Sequence, residues 1–131
     1  MEEWLGRGAV EEFAYALANH LCAEEHALEN GLPELADAIR QHRKQLLVEG
    51  VRALFDVDPR ESRGWREGWC IVKHLLLAWY HLVELQLMLA ERGVQLDVEE
   101  GELLQLAVRL MRELSEVGER EARERAEAAE S

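Results

Sequence analysis

Five polar residues occupy positions where a water-soluble helical bundle ordinarily places leucine: His20 and Glu24 in a first amphipathic segment, His42 in a second, and His74 and His81 in a third. An ionisable group on a core face is costly unless it is paired, neutral or ligated, so each of the five asks for a physical explanation. Imidazole and carboxylate together suit Zn, Fe, Mn or Ni, and bundles hold such ions between facing helices. His20 and Glu24, spaced i to i+4, share one face and can converge on one ion.

Heights along the helices decide which other residues can join them. Counting from the turn at 30–33, His20 lies about 15 Å down the first helix and His42 about 13.5 Å down the second, so the two are level. His74 and His81 are one heptad apart, about 10.5 Å along the axis, so only one of them can complete a mononuclear site with His20, Glu24 and His42. The spacing departs from the Glu-x-x-His pattern of ferritin-like di-metal proteins; the chain carries His81-x-x-Glu84 and His20-x-x-x-Glu24 instead. A plainer explanation is that His20 and Glu24 pair with each other or with an arginine, leaving a satisfied polar island in an apolar core. Cys70 reads as a small buried hydrophobe and Cys22, with His26, as projecting away from the first apolar stripe.

The elements that must position these groups follow from periodicity and stop signals. Helix 1 is expected from about Ala9 to Glu29, ended by Asn30-Gly31, and helix 2 from Pro33 to about Phe55. Asp58-Pro59-Arg60-Glu61 reads as a cap that opens a short turn or the third helix, which spans Trp65 to Glu91 and is ended by Arg92-Gly93. Asp97-Val98-Glu99-Glu100 resembles a capping box for a fourth helix from Val98 to about Val117, with a charged extension over 119–131. Expected core stripes are Val10, Phe13, Leu17, Leu21 and Leu28; Leu35, Ile39, Leu46 and Ala53; and Leu103, Ala107, Leu110, Met111 and Leu114. Helix 3 is apolar almost all round, with Lys73, Tyr80, Glu84 and Glu91 as a narrow wet edge. Short linkers favour antiparallel neighbours, so the expected fold is an all-α, antiparallel up-down four-helix bundle forming one domain over 1–131.

Composition narrows the function. A net charge of −12 over 131 residues disfavours nucleic acid as a partner, because phosphate binding needs lysine and arginine gathered on one face. The longest uncharged apolar run, Leu75 to Tyr80, is far short of the roughly 20 residues that span a bilayer, and Met1-Glu-Glu-Trp lacks the basic start of a signal peptide. Two cysteines make no disulfide framework, which fits a reducing, cytoplasmic setting. The helical-bundle nucleases of toxin systems resemble the fold in outline, but Arg66 and His74 are spaced more widely than the Arg and His of that class. Serines 62, 115 and 131 make no hydrolytic triad, and no glycine-rich phosphate cradle follows a strand. The expectation is a non-enzymatic protein acting by self-association, as a dimer, or through a protein partner, with Trp69, Tyr80 and Leu87 on the outer side of helix 3. The alternative is a transition-metal or small-ligand site built from His20, Glu24, His42, His74 and His81.

Overall fold

The computed structural model describes residues Glu2–Glu130, with side chains from Gly8 onward; Met1, the first residue of the expected acidic start, and the final Ser131 fall outside that description. Four helices account for most of it: α1 (Glu2–Glu29), α2 (Pro33–Phe55), α3 (Arg63–Ala90) and α4 (Gly101–Glu130). The molecule is an all-α four-helix bundle. Helix α1 starts well before the expected Ala9, since a glycine such as Gly8 weakens a helix without ending it. None of the described helices is long and apolar enough to cross a membrane.

Helices α1 and α3 end in the same way. At α1, Leu32 N–H donates to Ala27 C=O at 2.8 Å and Gly31 N–H to Leu28 C=O at 3.1 Å, with Gly31 at φ 70°. At α3, Val94 N–H donates to Leu89 C=O and Gly93 N–H to Ala90 C=O, both at 3.0 Å, with Gly93 at φ 71°. These are Schellman ends, in which a left-handed glycine lets the chain fold back onto the last helical carbonyls. Pro33 opens α2 at its first turn, where its missing N–H costs nothing.

Two expected starts move. Asp58-Pro59-Arg60-Glu61 forms a turn, closed by Glu61 N–H to Asp58 C=O, and Ser62 caps α3 by accepting from Trp65 N–H at 3.2 Å. The capping box at 97–100 does not form. Gln86 Nε2 donates to Val98 C=O at 3.0 Å, which holds that segment along α3, and α4 begins only at Gly101. The charged extension is helical through Glu130.

Pairs of touching residues fix the helix directions. Phe13 lies against Gly50 and His20 against His42, so α1 and α2 are antiparallel. Trp65 reaches Ser115 and Gln86 reaches Val98, so α3 and α4 are antiparallel too. Tyr15 packs on Trp79 and Glu25 meets His81, which makes α1 and α3 parallel neighbours. The two hairpins join mainly along that α1–α3 seam, with slimmer α1–α4 and α2–α4 seams. Helices α2 and α3, consecutive in the chain, therefore lie across the diagonal. Only Ala36, Arg43 and Val51 of α2 are buried, and the buried residues of α3 pack mainly against α1 and α4.

The core contains Val10, Phe13, Leu17 and Leu21 from α1, Val51 from α2, Trp65, Val72 and Leu76 from α3, and Leu104, Ala107 and Met111 from α4. Trp65 is buried with its indole N–H donating to Ser115 Oγ at 3.1 Å, and that hydroxyl donates on to Met111 C=O. The α2 stripe differs from expectation: Leu35 and Ala53 are exposed, while Ala36, Arg43 and Val51 face inward. The rotation brings Arg43 onto a carboxylate of α1. Leu28, expected in the α1 stripe, is exposed, and its neighbour Ala27 is the buried residue of the last turn.

Candidate functional site

The five residues singled out by sequence fall into separate groups. His20 and His42 do meet, on the α1–α2 seam, with His20 Nε2 2.7 Å from His42 Nδ1 and the ring planes parallel. His20 Nδ1 lies 2.7 Å from Ala16 C=O, and a carbonyl only accepts, so Nδ1 carries a hydrogen there. In the neutral pair the bare Nε2 of His20 then accepts from His42 Nδ1–H. Two nitrogens bound to one ion at about 2.0–2.1 Å in tetrahedral geometry stand more than about 3 Å apart, so the pair as placed holds a proton between its rings rather than a metal.

Glu24 is engaged elsewhere. Both of its oxygens accept from Arg43, whose guanidinium carbon also lies 5.9 Å from the centroid of the Trp69 ring. The side chains are 14% and 9% exposed respectively, so this is a nearly buried, two-point ion pair sandwiched against an aromatic face. Of the two explanations open for Glu24, pairing with an arginine is the one realised. Trp69 is half-buried beneath it.

His74 and His81 are both exposed on α3, away from His20 and His42. His81 Nε2 lies 2.8 Å from Glu25 Oε2 on α1, and its Nδ1 lies 3.7 Å from Glu84 Oε2. Imidazoles from three helices therefore do not converge in the core, because the third helix sits beside the opposite flank of α1 from α2.

That flank holds a cluster that sequence reading passed over. Cys22 and His26 of α1 and Glu84 of α3 bring one ligand atom each within 4.8 Å of one another. Cys22 is buried and Cys70 exposed, the reverse of expectation, since the face of α1 opposite its first stripe packs against the Tyr80–Glu84 edge of α3. Burial pushes the Cys22 thiol above its ordinary pKa, opposed by the Tyr80 hydroxyl donating to it; that same bond raises the Tyr80 pKa. The legible signal was the Cys22-x-x-x-His26 spacing, which places thiol and imidazole on one helical face.

The end of the bundle next to this cluster is apolar. Of the ten large apolar side chains exposed among the described residues, eight (Leu28, Leu32, Leu35, Leu85, Leu87, Met88, Val94 and Val98) lie where α1 and α3 end and α2 and α4 begin. An open groove of about 680 Å³ runs there, with Val83, Leu87, Ala90, Val94 and Val98 along its walls. The same groove is lined by the carboxylates Glu99 and Glu100 and by the amides Gln86 and Gln95. Comparison with family models, curated proteins and solved structures finds no match to this chain.

Proposed function

We propose that this bundle is a non-catalytic interaction protein that docks through its apolar end, onto a second copy of itself or onto another protein. The observation that carries the reading is the gathering of eight exposed apolar side chains at one end of the molecule. Exposed apolar side chains gathered at one end of a molecule, three of them (Leu87, Val94 and Val98) lining one groove, are the kind of surface that ordinarily marks a contact. Leu87, expected to face outward, is 64% exposed within it. Trp69 and Tyr80 are half-buried and belong to the bundle.

The acidic margin refines the choice of partner. A second copy would bring the Glu99 and Glu100 carboxylates of two grooves into one interface, whereas an apolar surface rimmed with lysine or arginine would be complementary. The same charge, and the chain's −12 overall, weigh against nucleic acid. Free thiols at Cys22 and Cys70 accord with a cytoplasmic setting.

The test is association measured on the full chain, wild type against Leu87→Glu/Met88→Glu. Sedimentation equilibrium reads self-association, and titration with a helical peptide of leucine and lysine reads docking of a basic apolar partner. Wild-type association in either assay, lost in the double variant, supports the reading, and weakening by salt assigns it to the charged margin. A wild-type chain that is monomeric and ignores the peptide, or association indifferent to the substitutions, overturns it.

A further inference from the structure

Independently of the apolar end, the α1–α3 seam brings together three groups of different chemistry. Cys22 and His26 are one helical turn apart, and Glu84 comes from the neighbouring helix, so the cluster depends on tertiary packing as well as on spacing. Its sulfur, imidazole nitrogen and carboxylate oxygen lie within 4.8 Å of one another. Around a tetrahedral ion with bonds of about 2.0–2.3 Å, such atoms stand roughly 3.5 Å apart. The remaining contraction is a matter of side-chain rotation. Buried Cys22 supplies the fixed point, and His26 and Glu84, with side chains 56% and 41% exposed, have only 3.7 Å ion-pair neighbours, Glu29 and His81, to exchange for it.

We infer that Cys22, His26 and Glu84 form a binding site for a divalent transition ion of the zinc class, tying the last turns of α1 to α3. Thiolate, imidazole and carboxylate are the donors such an ion takes, whereas calcium and magnesium call for oxygen alone. Three protein ligands leave a fourth position for water. His81 Nδ1 lies 3.7 Å from Glu84 Oε2, a charge neighbour rather than a hydrogen-bond partner, while its Nε2 is engaged by Glu25 at 2.8 Å. Binding replaces the thiol proton with the ion and releases that proton to solvent. The site is distinct from the set expected from sequence: Glu24 is bound by Arg43, and His20 and His42 are bound to each other.

The experiment is a cobalt(II) titration of untagged, reduced and chelator-stripped full-length chain, followed by displacement with zinc(II). One equivalent is expected to bind, giving the visible absorption of tetrahedral cobalt and a near-ultraviolet thiolate-to-cobalt band. Cys22→Ser should abolish the thiolate band. His26→Asn and Glu84→Gln, at exposed side chains that leave the fold intact by circular dichroism, should each weaken binding by at least about 100-fold, the upper range for losing even an outer partner of a metal site. Cys70→Ser and the His20→Ala/His42→Ala double variant should bind as wild type. Failure to bind one equivalent, a thiolate band that survives Cys22→Ser, or affinity that follows His20 and His42 overturns the assignment.

Discussion

Glu24 sits on the core-facing side of α1, and the guanidinium of Arg43 takes both of its oxygens while lying over Trp69. A buried ion pair of this sort adds little beyond what well-packed apolar residues would supply, yet breaking it strands one charge in a low-dielectric setting. Arg43→Met is therefore expected to destabilise the bundle by about 3–5 kcal/mol in urea denaturation. The double variant Glu24→Met/Arg43→Met should recover most of that loss. A single variant as stable as wild type would mean that water reaches the carboxylate. The His20–His42 contact is a different case: it lies at the seam surface, where a shared hydrogen bond satisfies both rings without a strong demand on either.

At the level of elements, the bundle caps one helix with a residue of another. Glu121, near the end of α4, accepts from the backbone N–H groups of Arg63 at 2.9 Å and Gly64 at 3.2 Å, the first two residues of α3. An anion there satisfies orphan donors and meets the positive end of the helix dipole. Those N–H bonds, Arg63 first, hold the Glu121 carboxyl below its ordinary pKa. A carboxyl depressed in the folded state contributes its full stability above its unfolded pKa and loses it as pH falls through the folded value. Glu121→Ala should accordingly cost about 1 kcal/mol at neutral pH, and the gap to wild type should close in acid, as thermal or urea unfolding across pH will read. The same contacts fasten α4 to the start of α3 beyond Val117, at Glu121.

On the scale of the whole molecule, the two hairpins meet along parallel α1 and α3, and both of those helices finish in a Schellman turn at the same end. The residue after each left-handed glycine, Leu32 or Val94, is apolar and about half exposed, so the two turns themselves contribute to the apolar end. If that end is the docking surface, a charge in its groove should act strongly: Leu87→Glu is expected to weaken association by about 2 kcal/mol or more, the range of a contact hot spot, in sedimentation or peptide titration. Ile71→Glu, elsewhere on α3 and also exposed, should leave association unchanged.

The sequence by itself determined the four helices, the Gly31 and Gly93 stops, the Pro33 start and most of the α1 and α4 core stripes, because capping and 3.6-residue periodicity are local properties written into neighbouring residues. It also made Glu24 conspicuous as a charge on a core face, and placed His20 and His42 level with each other, since both are measured from one short turn. Tertiary structure alone decided which helix flanks which. With α3 beside α1 and α2 across the diagonal, Cys22 turned from an outward thiol into a buried one, His81 found Glu25 instead of the other histidines, and Glu84 came to Cys22 and His26. Periodicity says which way a side chain leaves its own helix. The neighbour it meets depends on how apolar faces of several helices share one core, a property no single segment holds.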